Sequence, residues 1–323
     1  MLIASEFKPA WWLPGAHAQT LWPYLFRHDP GELVRERLEL PDGDFVDLRL
    51  TQGRDAGPAD APLVAVFHGL EGSMSSPYAA RIMAAVRRRG WRGVFMYFRG
   101  CSGVINRKPR SYHSGHTGDI AYLLDMLRRQ YPRAPLFAVG YSLGGNALLK
   151  YLGERGEDTP LNAAAAVSVP FLLADGAVRM SRGISRIYQH HLIRLLQRKV
   201  MRKVEAGMLD FEAAQITRLK TFYQFDDRVT APLHGFAGAD DYYRQCSSRP
   251  YLKAIRVPAL VVHAHDDPFM TPAAVPTEAE LSDTVRLELS ARGGHVGFVA
   301  GALPGRPVYW LDSRLPAYFE EFT

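Results

Sequence analysis

The run Leu136-Phe137-Ala138-Val139-Gly140-Tyr141-Ser142-Leu143-Gly144-Gly145-Asn146 constrains this chain more than any other stretch. An apolar strand leads into Gly-x-Ser-x-Gly and then into the start of a helix. That order describes a strand-to-helix turn sharp enough to push the Ser142 hydroxyl out of a sheet. Gly140, Gly144 and Gly145 suit such a turn, because glycine lets backbones approach closely. A helix from Asn146 to about Arg155 would point its positive end at Ser142, where negative charge develops during attack. The pentapeptide alone is common. The strand before it and the helix after it give it weight.

The surrounding pattern says what the turn is embedded in. Leu63-Val64-Ala65-Val66-Phe67 is continuously apolar, as strands buried on both faces are. A helix is expected over Tyr78 to Arg89, a strand over Gly93 to Phe98 and a helix over Asp119 to Gln130. Strand 136–139, the helix after Ser142 and a strand over Ala163 to Val169 follow. Strands alternating with helices give an α/β fold with a mostly parallel, twisted sheet flanked by helices. Upstream, Leu33 to Leu40 and Phe45 to Leu50 alternate apolar and charged residues around the turn Pro41-Asp42-Gly43-Asp44. They read as a solvated antiparallel hairpin. Gln52 to Pro62 reads as a surface loop.

The alternation stops near Leu173 and resumes with a strand over Val257 to Ala264. A further strand is expected over Val285 to Leu289, and a closing helix near Tyr309 to Phe322. Residues 173–250 are helical and basic, and read as a helical cap inserted between strands. In Ile184 to Val200, the residues Ile187, Tyr188, His191, Leu192, Leu195 and Leu196 recur at helical spacing and predict the packing face. Residues 1–30 carry Trp11, Trp12 and Trp22 among prolines. They read as an arm packed on the core, with a short helix near Thr20 to Phe26. Weak peripheral contact with a membrane is the alternative. The α/β core then comprises 31–172 and 251–323, and 323 residues with 47% hydrophobic content suffice for it.

A serine hydroxyl needs a base, and the base needs an orienting acid. In this architecture they follow the serine in the order acid, then histidine. Ligands bind beyond the carboxyl ends of parallel strands, so both groups belong just after later strands. His265-Asp266-Asp267-Pro268 follows one such strand, and Ala291-Arg292-Gly293-Gly294-His295 follows the last. His295 is the expected base, because a free imidazole suits proton transfer near neutral pH. Asp267 is the expected acid, and Asp266 the alternative or a capping residue. Two backbone N–H groups should meet the oxyanion, those of Leu143 and of Leu70 in the loop after strand 63–67. His263, His265, Asp266 and Asp267 also resemble a metal cluster, since period two puts both histidines on one strand face. Further ligands at a supporting spacing are missing, so neither metal nor cofactor is expected.

Taken together, these motifs resemble the YheT-like branch of the α/β-hydrolase superfamily, close to the ABHD-type lipid hydrolases. The resemblance spans nearly the whole chain. It runs through Phe7-Lys8-Pro9-Ala10-Trp11-Trp12-Leu13, His17-Ala18-Gln19-Thr20, His68-Gly69-Leu70-Glu71-Gly72 and Phe98-Arg99-Gly100-Cys101-Ser102-Gly103. It continues through Tyr112-His113-Ser114-Gly115, the Ser142 turn, Asp266-Asp267-Pro268-Phe269 and Ala291 to His295. It implies a serine ester hydrolase with a Ser142, Asp267, His295 triad acting on short- to medium-chain esters or acylglycerols. Relatives that pass the acyl group to an alcohol keep acyl transfer open. A non-catalytic protein holding an apolar ligand is the rival from another class. Arg99, Asn106, Arg107, Tyr112, His113 and His116 are expected to anchor their loops to the N-terminal arm, with shaping of the entrance as the alternative.

A net charge of +6 and a pI near 9.3 come mainly from arginine, without a Lys/Arg-rich tail. They indicate a basic surface rather than a nucleic-acid partner. Cys101 and Cys246 make no disulfide framework. Ala16-His17-Ala18 mimics a cleavage site, but Glu6, Lys8, Pro9 and Pro14 stand where a signal peptide is apolar. The run Ala163 to Leu173 is too short to span a bilayer. A cytoplasmic location and a small-molecule ester partner are the expectations.

Overall fold

The computed structural model describes residues 1–26, 28–29, 31–53 and 56–323. Arg27 and Pro30 of the expected arm, and Arg54 and Asp55 of the expected surface loop, lie outside the described residues.

Among the described residues, nine strands form one sheet. They are β1 (Leu2–Ala4), β2 (Val34–Glu39), β3 (Phe45–Leu50), β4 (Leu63–Phe67), β5 (Arg92–Met96), β6 (Leu136–Tyr141), β7 (Ala163–Val167), β8 (Ala259–Ala264) and β9 (Val285–Ser290). The order across the sheet is β1-β9-β8-β7-β6-β4-β5-β3-β2. All neighbours from β1 to β5 run parallel, whereas β3 pairs antiparallel with β5 and with β2.

The central strands are continuous apolar runs because both their faces are covered. Leu63, Ala65 and Phe67 of β4 face one core layer, and Val64 and Val66 face the other. The first layer is closed by α3 (Gly118–Gln130) and α4 (Leu143–Arg155). The second is closed by α2 (Pro77–Arg88) and the C-terminal α11 (Leu311–Glu320). The hairpin β2–β3 forms around the Pro41–Asp44 turn with Leu38 opposite Val46, but β3 is largely buried rather than solvated because it also pairs with β5.

Two parts of the N-terminal region differ from expectation. Leu2–Ala4 is an edge strand, parallel to β9, where an irregular arm was anticipated. Three residues are too few to show a period, and their partner lies at the other end of the sequence. The short helix, α1 (Ala16–Leu25), begins earlier than expected. Arg99 and its loop are anchored to the hairpin turn and to α3, not to the arm. Arg99 grips Asp119 with two hydrogen bonds of 2.7 and 2.8 Å, and reaches Asp42 at 2.7 Å and Asp44 at 3.1 Å. Asn106 adds a 2.7 Å bond to Asp44. Burial pushes the Asp44 carboxyl up, but the bonds from Asn106, Arg107 and Phe45 and the nearby Arg99 charge together hold it below its usual value.

Between β7 and β8 the chain is helical. It comprises α5 (Leu173–Met180), α6 (Ser185–Glu205), α7 (Ala213–Arg218), α8 (Phe222–Phe225), a π turn over Asp226–Thr230, α9 (Ala231–His234) and α10 (Ala239–Cys246). These helices build apolar clusters of their own, one around Tyr242 and Tyr243 and one around Ile193, Val200 and Phe225. The buried face of α6 is not the one expected. It runs through Ser185, Gln189, Ile193, Lys199, Val200 and Lys203, while Ile187 is 68% exposed. Four of those six are polar, and each is satisfied by a bond outside α6. A hydrophobic pattern cannot register such a face. No helix among the described residues is long and apolar enough to cross a membrane.

Candidate active site

Ser142 stands between β6 and α4 with φ 52° and ψ −117°, a conformation that side chains other than glycine rarely adopt. Its N–H donates to the Val167 carbonyl at 2.8 Å, and its own carbonyl accepts the Asn146 N–H at 3.0 Å. The turn is tight enough that a side chain at Gly144 would come within 2.5 Å of the Phe67 carbonyl oxygen. Asn146 is fully buried. Its amide donates to the carbonyls of Ser114 and Cys246 and accepts from the Ser248 N–H, fastening the end of the helical segment to the turn.

The loop after β9 brings His295 to the serine. His295 Nε2 lies 2.9 Å from Ser142 Oγ, and His295 Nδ1 lies 2.8 Å from Asp267 Oδ2. Asp267 is 4% exposed, and its other oxygen accepts the Phe269 N–H at 2.8 Å. The Phe269 ring lies flat on the imidazole, with centroids 3.9 Å apart and planes 10° apart. Asp266 points elsewhere. It accepts the Gly294 N–H at 2.9 Å, one residue before the imidazole, and burial raises its pKa. The two adjacent carboxylates thus have separate partners. One touches the histidine ring and the other holds the backbone N–H of the residue before it.

The loop after β4 lies against Ser142. A side chain at Gly69 would approach Ser142 Cβ to 3.3 Å. The Gly69 N–H is taken by Tyr78 Oη at 2.7 Å and the Glu71 N–H by Tyr112 Oη at 2.7 Å. Between them the Leu70 N–H has no acceptor within the described residues, and neither has the Leu143 N–H at the head of α4. His68 shapes the loop. Its Nε2 accepts the Phe98 N–H at 3.0 Å, so Nδ1 carries the proton and donates to the Gly69 carbonyl at 2.6 Å. Burial pushes its pKa down to about 3, which keeps the ring neutral.

The α/β-hydrolase fold model matches residues 62–302. The Escherichia coli (strain K12) protein YheT is 46% identical over 325 residues, which cover 99% of this chain and 94% of that protein. The chain belongs to the YheT-like branch of the α/β-hydrolase family. Phospholipase ABHD3 of Mus musculus is 30% identical over 95% of this chain and 77% of its own length. A soluble variant of monoglyceride lipase from Saccharomyces cerevisiae, solved with a substrate analog, matches 92% of this chain and 99% of its own. Its TM-score is 0.56 at 14% identity, a likeness of fold.

Backbone strain in this YheT-like hydrolase is concentrated at the site. Among the described residues, the non-glycine positions with positive φ are Glu71, Ser142, Ser168, Val296 and Phe298. Each belongs to a segment that carries or contacts Ser142, Leu70 or His295. Such conformations cost on the order of 1–3 kcal/mol apiece and persist only where their surroundings fix them. The fixing bonds are present: the Val296 N–H donates to Ser168 Oγ at 2.9 Å, and the Phe298 N–H to the Gly293 carbonyl at 3.0 Å.

Sequence reasoning assigned no role to Thr20, Gln19, Tyr78 or Ser168, all of which hold the site's loops. Thr20 Oγ1 accepts the His295 N–H at 2.9 Å, and the Gln19 amide bonds both the N–H and the carbonyl of Val299. Gln19 and Thr20 stand in a motif of the resemblance, whereas Tyr78 and Ser168 carry no signal of their own. His263 and His265 do not share a face. His263 is buried on β8 beside Phe171, whereas β8 ends at Ala264 and His265 turns out to solvent.

Proposed function

We propose that this chain is a serine carboxylic-ester hydrolase that works through a covalent acyl-enzyme on short- to medium-chain esters or acylglycerols. One observation carries it: the unbroken contact from Ser142 Oγ through both His295 nitrogens to Asp267. With Nδ1–H donated to the carboxylate, Nε2 is bare and accepts the serine proton as Oγ attacks the acyl carbonyl. Asp267 stabilises the imidazolium that results. The Leu70 and Leu143 N–H groups, free of other acceptors, receive the developing oxyanion. His295 returns the proton to the departing alcohol, and water then repeats the sequence on the acyl-enzyme. An alcohol in place of that water gives acyl transfer on the same site. The names of two relatives, a phospholipase and a monoacylglycerol lipase, support a lipid substrate.

The test is hydrolysis of p-nitrophenyl esters from acetyl to palmitoyl by wild type and Ser142→Ala. Turnover by the wild type and a fall of ~10⁴ or more in the variant are expected. Equal activity of the two would remove Ser142 from the mechanism. An inert wild type that a fluorophosphonate does not label at Ser142 would favour a binding protein.

A further inference from the structure

Helix α6 touches the candidate site at two places. Near its start, buried Ser185 donates its hydroxyl to the Pro268 carbonyl at 2.6 Å, one residue from Asp267. About four turns further along, Lys199 is buried against the loop after β4. Its ammonium donates to Glu71 Oε1 at 2.6 Å and to Cys101 Sγ at 3.0 Å, and stands 4.7 Å from the centre of the Tyr112 ring. Glu71 follows Leu70 directly and has φ 51°. Tyr112 Oη accepts its N–H and donates to its carboxylate at 2.8 Å. One hydroxyl and one ammonium therefore clamp both the main chain and the side chain of the residue next to Leu70.

Burying an ion pair is a poor way to gain stability, since desolvation consumes most of the attraction. Side chains of both Lys199 and Glu71 are only 9% exposed. What this pair does hold is a left-handed backbone torsion that a glutamate does not adopt unaided. We propose that Lys199 is a positioning residue: acting through Glu71 and Tyr112, it sets the direction of the Leu70 N–H toward the oxyanion, and so ties the helical segment to turnover. This rests on the Ser142 reading given above.

Lys203 supplies the comparison. One turn further along α6 and 1% exposed, it donates to the carbonyls of Lys108, Pro109 and Arg110, which do not belong to the Leu70 loop. The experiment measures kcat and KM on p-nitrophenyl butyrate, inhibition by a trifluoromethyl ketone that forms a tetrahedral adduct on serine, and the thermal midpoint. Lys199→Met should lower kcat by ~10- to 10²-fold, less than outright loss of an oxyanion donor. KM should stay unchanged, and the ketone should weaken by the same factor. Lys203→Met should lower the midpoint while keeping kcat. The double variant Lys199→Met/Glu71→Gln, free of an unpaired buried charge, should recover the midpoint but not kcat. If Lys199→Met does not fold, Glu71→Gln alone keeps the residue's shape and carries the same expectation.

Unchanged kcat in Lys199→Met, or equal losses in Lys199→Met and Lys203→Met, would overturn the proposal. Ser142→Ala in the same assay separates it from the reading beneath it. An active Ser142→Ala overturns both. An inert Ser142→Ala beside a fully active Lys199→Met overturns the positioning role alone.

Discussion

Thr20 accepts the main-chain N–H of His295 across 275 positions of sequence, and its own hydroxyl donates to the Ala16 carbonyl at 2.7 Å. Helix α1 is therefore part of the mounting of the imidazole. Thr20→Val keeps the shape and removes the acceptor, leaving a histidine N–H unpaired in the interior. A stability loss of about 1–3 kcal/mol is expected in urea unfolding. Because small misplacements of reacting groups are costly, kcat should fall about tenfold or more. Lost stability with full kcat would make α1 scaffold only.

The adjacent carboxylates give a second prediction. Asp267→Asn removes the acceptor that fixes the His295 tautomer, and kcat should drop by ~10⁴. Asp266→Asn keeps an oxygen able to accept the Gly294 N–H, so kcat should stay within about tenfold of wild type. Steady-state kinetics on one ester decides. Equal losses in the two variants would contradict the division of labour seen in their hydrogen bonds.

A third prediction concerns pH. Burial pushes the Asp226 carboxyl up to about 6, although hydrogen bonds from Thr230 and Tyr243 pull it partly back. The folded chain thus holds this proton across a range where the unfolded chain, with an ordinary value of about 4, has lost it. The contribution of Asp226 to stability is greatest below that lower value and is lost as pH rises through about 6. Asp226→Asn should stabilise the protein at neutral pH and flatten the slope of unfolding free energy across that window. Denaturant unfolding at several pH values checks both. An unchanged slope would mean that another group titrates there.

The sheet was legible where burial is two-sided. Leu63–Phe67 is apolar throughout because β5 and β6 flank it and helices cover both its faces, and the expected and observed limits agree. The Ser142 turn was legible because its geometry demands particular residues at particular places. What was illegible depends on partners distant in sequence. Arg99 announces a charge but not that Asp42, Asp44 and Asp119 meet it. Lys199 reads as solvated when only apolar spacing is counted, yet it is buried because Glu71 waits inside. Leu2–Ala4 has no period of its own, and only β9 makes it a strand.

The pairing of Leu2–Ala4 with Leu287–Leu289 has a consequence for the order of events during synthesis. A growing chain has the Ser142 turn, with β4, β6 and β7 around it, before Asp267, β9 and His295 have emerged. Asp267 and His295 follow later, and the strand that receives Leu2–Ala4 lies between them. Until then Ser142 stands without His295, and Leu2–Ala4 lacks the strand it pairs with. The Ser142–His295 contact and the pairing of Leu2–Ala4 therefore form only after β9 and the loop behind it have emerged.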